Sequence, residues 1–293
     1  MTYGFGEENM WRAVNIDTTS KGDTCFTVEY AGERVCELSL SSPGRYNVLN
    51  SMAVFLSSVI LTGTRDTAFP SSPTAEIVSW CHKSEMTKRI CSAMQNYEGV
   101  SRRLEHVGSV GACEIYDDYA HHPTAIRSVV EAMRQRYVNA RLVLLFQPHT
   151  FSRLAALLHE FAESLRLADR IIITSVYDAR GELKVLDTRG ACGQALSRLV
   201  GGKSIYFDSW VDAQRQVLLE AQIQSRGRDV DDRHFVHSSP KAERNVRESS
   251  RTVFVTLGAG NSNEFSALLH SYLSECATGR RGGHNVDRER SVH

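Results

Sequence analysis

Apolar and polar residues alternate in three short runs near the start of the chain: Trp11 to Ile16, Cys25 to Tyr30 and Val35 to Leu40. A period of two is that of strands with one face buried, and turn residues at Gly22 and Ala31-Gly32 separate the runs. The Gly32 turn, set between two alternating runs, predicts an antiparallel hairpin. Ser41-Ser42-Pro43-Gly44 closes this region, and the period lengthens to that of a helix over about 47–60, with Leu49, Ala53, Val54 and Leu56 on one stripe. A Pro/Ser loop at 70–73 precedes a helical pattern from Ala75 to Met94. No complete core is legible in this first third, which reads as the end of a domain that begins elsewhere.

From about Arg102 short apolar strands alternate with amphipathic helices. The strands are expected at Cys113–Tyr116, Leu142–Phe146, Ile171–Thr174, Ser204–Phe207 and Thr252–Thr256. The helices between and after them carry Ile126, Val129 and Met133; Leu154, Leu158 and Phe161; Leu196 and Leu199; Val217 and Leu218; and Phe265, Leu269 and Leu273. Strands buried on both faces and joined through helices make βαβ units. The expected class is α/β: a doubly wound, Rossmann-like, mostly parallel sheet over 99–276, preceded by the end of another α/β domain over 1–98. Two stretches break the rhythm. Residues 224–250 are dense in Arg, Asp, Ser and His and interrupt a connection that needs only a few residues, so they read as a solvated insertion. The stretch 277–293, rich in Arg and Gly, reads as a disordered tail.

Charge refines this picture little: 34 basic residues balance 34 acidic ones, which removes nucleic acid and anionic membranes as bulk partners. The seven cysteines are scattered without a C-x-x-C pair, the pattern of reduced thiols in a cytosol and not of a disulfide framework or structural zinc. Nothing approaches a membrane span, and residues 1–8 lack the basic and apolar regions of a signal peptide. A cytoplasmic protein is expected.

Four polar clusters fall where a doubly wound sheet places ligands, at strand ends and helix starts. The first is Asp117-Asp118-Tyr119-Ala120-His121-His122-Pro123-Thr124, with Pro123 suited to a first helical turn. Gln147-Pro148-His149-Thr150-Phe151-Ser152-Arg153 offers an imidazole that works near neutral pH and a guanidinium fork suited to carboxylate or phosphate. Tyr177 to Glu182 and Gly258-Ala259-Gly260-Asn261 complete the set. Gly201-Gly202-Lys203-Ser204 imitates the end of a phosphate-binding loop, yet it precedes a strand instead of following one, and no other candidate loop exists. The paired histidines lack a third ligand nearby in sequence, so zinc is not expected.

In order, Gly44-Arg45-Tyr46-Asn47-Val48-Leu49-Asn50, Ser101-Arg102-Arg103-Leu104-Glu105, the Asp117–Thr124 string and Phe146-Gln147-Pro148-His149-Thr150-Phe151-Ser152-Arg153 resemble the signature of the Mur ligases. The resemblance covers nearly the whole chain apart from the insertion and the tail, and it is nearest to the branch that joins L-alanine to UDP-N-acetylmuramate. Ala125, where that branch usually has glutamate, leans toward the branch that recycles murein tripeptide; the Phe146–Arg153 string leans back. The family implies ATP-dependent amide-bond formation for peptidoglycan precursors: ATP phosphorylates the muramoyl carboxylate, and the amine attacks the acyl phosphate. It implies an N-terminal sugar-nucleotide domain, a central ATPase domain and a C-terminal domain that receives the amino acid. Residue by residue, Asn47 and Asn50 match nucleotide contacts, Arg103 an ATP-binding arginine with a catalytic part, and Asp118 the acidic residue at the domain junction, also ATP-binding and catalytic. His149 and Arg153 match positions near L-alanine.

This sequence departs from the pattern in what it lacks: the sugar-nucleotide domain, the phosphate-binding loop and the glutamate and histidine that hold Mg2+ in the family have no counterpart. Tyr46 also replaces the histidine usual before Asn47. Phosphoryl transfer depends on positioning and metal-assisted charge stabilisation. The expectation is therefore a ligase portion inactive alone, with ATP and Mg2+ as cofactors, the main metal ligands elsewhere, and possibly a separate N-terminal half as partner. A non-catalytic remnant or docking partner is the alternative.

Overall fold

The computed structural model describes residues 2–19, 23–41, 43–63, 74–97, 99–178, 181, 191–226, 251–260 and 262–278. They form two compact units, Met1–Ser101 with Glu131–Arg136, and Arg102–Val130 with Tyr137–His293. Nearly all of the polar insertion and all but the first residues of the tail lie outside the described residues.

The first unit is built on a four-stranded sheet in the order β1 (Tyr3–Gly4), β2 (Trp11–Thr18), β3 (Thr24–Tyr30), β4 (Glu33–Leu40). β1 runs parallel to β2, and the other pairs are antiparallel. Ala31 and Gly32 turn β3 into β4 with φ of 50° and 87°, the double positive φ that matches the right-handed twist of a hairpin. Helices α1 (Arg45–Gly63), α2 (Thr74–Lys83) and α3 (Glu85–Gln95) follow. The single helical run expected over 75–94 breaks at Ser84, whose hydroxyl accepts the Thr87 N–H and caps α3. The expectation that this region lacks a complete core is corrected. Trp11, Phe26, Val28 and Leu38 from the strands enclose Met52 and Phe55 of α1 in one buried cluster. The alternation hid this core because each strand contributes only every second residue.

The second unit carries a six-stranded sheet in the order β5 (Glu105–Val110), β6 (Cys113–Asp118), β10 (Thr252–Leu257), β7 (Arg141–Phe146), β8 (Arg170–Ile173), β9 (Ser204–Tyr206). All neighbours are parallel except β5 and β6. β5 was not foreseen: Gly108 interrupts its apolar alternation and sits at a register shift. Its helices are α4 (Pro123–Arg136), α5 (Phe151–Ala156), α6 (Leu158–Leu165), α7 (Ala191–Val200), α8 (Trp210–Arg226) and α9 (Ser262–Ala277). On one face Ile115, Val143, Ile172 and Phe254 pack with Val217 of α8 and Phe265 and Leu269 of α9. On the other, Phe146 meets Phe161 of α6 with ring centroids 5.6 Å apart. Cover on both faces is the doubly wound arrangement expected of apolar parallel strands. No helix among the described residues is long and apolar enough to cross a membrane.

The glycine-lysine decoy also resolves. Gly201, at φ 90°, ends α7, its N–H donating to the Ser197 carbonyl, and Lys203 Nζ reaches the Ala168 carbonyl at 3.3 Å. It is a helix stop and a turn into β9.

Candidate active site

β10, the last strand in sequence, lies between β6 and β7, so the carboxyl ends of these three strands form one rim. Such a crevice is where open α/β sheets bind ligands. Asp117 and Asp118, read from sequence as a loop tip, are instead the last two residues of β6 and are buried at 1% and 2% exposure. Their carboxylates turn inward. Asp118 accepts the Leu104 N–H through Oδ2 and the Ala120 N–H through Oδ1, both at 2.7 Å. Burial pushes its carboxyl up to about 6 against the pull of those N–H groups and of Arg103. With an N–H on each oxygen, Asp118 braces the two loops on either side of it. Asp117 accepts from Thr256 Oγ1 and, at 3.2 Å, from Arg102 Nε; burial raises its carboxyl too.

The residue missed from sequence is Arg102. Its guanidinium also donates to the carbonyls of Gly258 at 2.7 Å and Gly260 at 3.0 Å and to Ser262 Oγ at 3.0 Å, tying the β10–α9 turn to the end of β6. It lies 5.0 Å from the Tyr119 ring centroid. Arg102 takes φ 60° and Leu104 φ 46°, conformations that cost a side chain about 1 kcal/mol each. The hydrogen bonds of Arg102 and Asp118 hold them there. Arg103, set between the two, is exposed. A doubled arginine gives no sign of which member points inward; the neighbours supply that.

Along the rim an aromatic row continues outward. The Tyr119 and His121 rings lie 5.1 Å apart, His121 and His149 5.4 Å, and His149 and Tyr177 5.8 Å and nearly parallel. His121 Nδ1 donates to the Tyr119 carbonyl at 2.8 Å, which leaves Nε2 as an acceptor when the ring is neutral. Burial, with the charges of Arg153, His122 and Arg103, holds His121 below the usual imidazole range, which favours that neutral form. Arg153 Nη1 donates to His149 Nδ1 at 3.4 Å. The expected pair is thus brought together. Thr150, between them, is β-branched yet takes φ 65°, and its N–H is held by the Tyr177 carbonyl at 3.2 Å. Backbone strain of this kind collects at ligand sites. Gly260 closes the row: a Cβ there would meet Gln147 Oε1 at 2.4 Å and Tyr177 Cδ2 at 2.9 Å. His122 Nδ1 accepts the Thr124 N–H at 3.4 Å at the start of α4.

Asn47 and Asn50 belong to the first unit, on the opening turns of α1; Asn47 Nδ2 donates to the Pro43 carbonyl at 2.8 Å, and Asn50 is exposed. Arg180, Glu182 and Asn261 lie outside the described residues. Elsewhere in the second unit Ser109, His106 and Glu114 are mutually bonded, but His106 Nε2 faces both partners, at 3.2 Å and 2.9 Å. A nucleophilic triad needs the two ring nitrogens to face different groups. A depression of about 470 Å³ beside Trp80 and Met86 of the first unit touches none of the expected residues. Among the described residues no group of three or more His, Cys, Asp or Glu is placed to hold a metal ion.

Residues 102–227, from the Arg102 clamp through α8, match the family model described as Mur ligase, glutamate ligase domain. The chain belongs to the Mur ligase family. It is 31% identical to the UDP-N-acetylmuramate–L-alanine ligase of Frankia casuarinae over 94% of its own length and 50% of that protein's. It is 36% identical to the enzyme of the same name from Caldanaerobacter subterraneus over 61% of this chain and 34% of the relative. The Mur ligase chain therefore spans half or less of the length of these relatives. Among solved structures it resembles UDP-N-acetylmuramate-alanine ligase of Thermotoga maritima, with a TM-score of 0.60 at 22% identity over 94% of this chain and 48% of that one. A folylpolyglutamate synthase of Mycobacterium tuberculosis, solved with ADP and AMPPCP, shares the fold at a TM-score of 0.53 and 11% identity.

Proposed function

We propose that this Mur ligase chain supplies the amino-acid side of a ligase that joins L-alanine to UDP-N-acetylmuramate at the expense of ATP. The observation that carries this reading is the pairing of Arg153 with His149 on the rim of the parallel sheet, in a chain similar over 94% of its length to a ligase named for that reaction. Arg153 offers its fork to the alanine carboxylate. An attacking amine must first lose a proton, and neutral His121, with Nε2 unprotonated, is an acceptor on the same row. Arg103 is exposed to meet the phosphates of ATP, and Arg102 and Asp118 position it through the loop they brace. Asn47 and Asn50 are the proposed nucleotide contacts of the first unit. ATP with Mg2+ would supply the phosphoryl group that activates the muramoyl carboxylate. Among the described residues no group of three or more His, Cys, Asp or Glu would hold that metal.

Because the sequence holds no phosphate-binding loop, turnover is expected to require further sequence, on the same protein or on a separate chain. The test is ADP release dependent on both UDP-N-acetylmuramate and L-alanine. The chain alone should show none, and adding a segment matching the remaining half of the relatives should restore it. Turnover by the chain alone would overturn the dependence, and a reconstituted protein that releases ADP only with a peptide in place of alanine would favour the murein-recycling reading. Arg153→Ala in the active assembly should raise the KM for alanine at least about tenfold while leaving that for ATP nearly unchanged.

A further inference from the structure

A buried polar side chain is almost always hydrogen-bonded, and an exception calls for an explanation. Two exceptions stand at the rim. Gln147 directly follows β7, its N–H donating to the Leu257 carbonyl at 2.9 Å, yet its side-chain Oε1 is buried without a partner. Thr174, beyond the register that pairs Phe146 with Ile173, carries an unpartnered Oγ1 and is sealed at 0% exposure. Gln147 keeps 7%, so of the two it is the one still open to the rim. It stands two residues before His149, in the cluster that ends at Arg153. Its Oε1 lies against Gly260, where a Cβ would meet it at 2.4 Å and the Tyr177 ring at 2.9 Å, and Tyr177 stacks on His149. The unpartnered acceptor therefore sits among the residues proposed to receive the amino acid. We infer that Gln147 is a substrate-binding residue whose Oε1 accepts an N–H of the incoming amine. This inference rests on reading the rim as the amino-acid side of a ligase.

The chemistry favours an uncharged acceptor in this place. An ammonium group carries three N–H bonds, and one of its protons goes to His121 Nε2 in the proposed reaction. The amine that remains keeps two N–H bonds, and fixing one of them on Gln147 aims the lone pair. A carboxylate there would favour the charged ammonium and oppose the loss of its proton. An amide oxygen accepts from both forms. No hydrogen bond holds Oε1 in the free chain, so the amide turns toward the amine without breaking one. The arrangement costs stability, because a buried acceptor without a donor has lost its hydration and gained nothing in return. Replacing Gln147 by an apolar side chain of similar length should thus strengthen the fold and weaken the substrate's hold. A residue kept for packing would do the reverse.

The first test needs only this chain. The side-chain amide resonance of Gln147, assigned by its loss in Gln147→Met, should move on titration with L-alanine and stay in place with propionate, which keeps the carboxylate and lacks the amine. Gln147→Met should also unfold at higher urea than the unaltered chain. In the active assembly Gln147→Met should raise the KM for alanine about tenfold with that for ATP unchanged. Thr252→Val removes another unpartnered hydroxyl, at the opposite end of β10, and should leave the KM for alanine as it was. Gln147→Glu should move the pH–rate profile to higher pH. An amide resonance that ignores alanine or follows propionate equally, a lower urea midpoint for Gln147→Met, a KM left unchanged by it or raised as much by Thr252→Val, or a pH profile unmoved by Gln147→Glu would each overturn the assignment. If alanine moves the resonance and the unaltered assembly releases no ADP with it, the proposed reaction fails and the binding role stands.

Discussion

Arg102 shows what one side chain does for the rim. Its guanidinium joins the end of β6, the β10–α9 turn and the Tyr119 ring, while its own backbone stays left-handed. Arg102→Ala removes charge-assisted bonds to buried acceptors and leaves Asp117 without its cation; a loss of about 3 kcal/mol is expected from the urea midpoint. Arg102→Lys restores the charge but not the fork, so it should recover less than half. Asp118 sets a pH dependence. Its carboxyl is raised from 3.8 to about 6, so the folded state holds a proton that the unfolded chain has lost. The contribution is full below about pH 4 and fades as pH rises through 6. Comparing urea midpoints at pH 4 and pH 7, the stability advantage of the unaltered chain over Asp118→Asn should shrink by roughly 2 to 3 kcal/mol. A constant difference would rule out that titration.

Among the elements, the β3–β4 hairpin carries a residue the turn does not prefer. Ala31 takes φ 50° where Asn or Gly is usual. Ala31→Asn should stabilise the first unit by about 0.5 to 1 kcal/mol in denaturant melts. Element type and order were legible in the sequence for every strand of the parallel sheet, because a strand buried on both faces is a run of Val, Ile, Leu and Phe such as Leu142–Phe146. β5 escaped because it lies at the edge, and only half-buried residues mark it. The candidate site was legible as clusters at strand ends, and His149 and Arg153 stood together in one of them. The rest was not. Asp117 and Asp118 read as a polar tip beyond the strand because nothing local tells that Thr256 and the Leu104 N–H lie opposite them. Arg102 was passed over for Arg103 for the same reason: its partners Gly258, Gly260 and Ser262 stand over 150 residues away.

At the scale of the whole molecule, each unit is built around its own core, and the three tryptophans report on them separately. Trp11 lies 6.4 Å from Phe55, and Trp210 lies 6.3 Å from Phe265. Phe55→Ala should cost about 3 to 5 kcal/mol in the first unit. With fluorotryptophan labels, the Trp11 resonance should then shift and unfold at lower urea while that of Trp210 keeps its position in the folded spectrum. A shift of Trp210 as large as that of Trp11 would refute the separation.

The placement of β10 bears on how the chain is made. Residues 252–257 pair along their full length with 113–118 on one side and 141–146 on the other, so the middle of the sheet is the last strand to leave the ribosome. Until it arrives, β6 and β7 each present an open edge of apolar backbone, the condition that favours off-pathway association. The nascent chain must wait more than a hundred residues between making β7 and joining it to β6. Pairings that distant in sequence form slowly. A chain stopped before residue 252 would leave those two edges permanently unmatched, and its fate would be aggregation or proteolysis, not a smaller working domain.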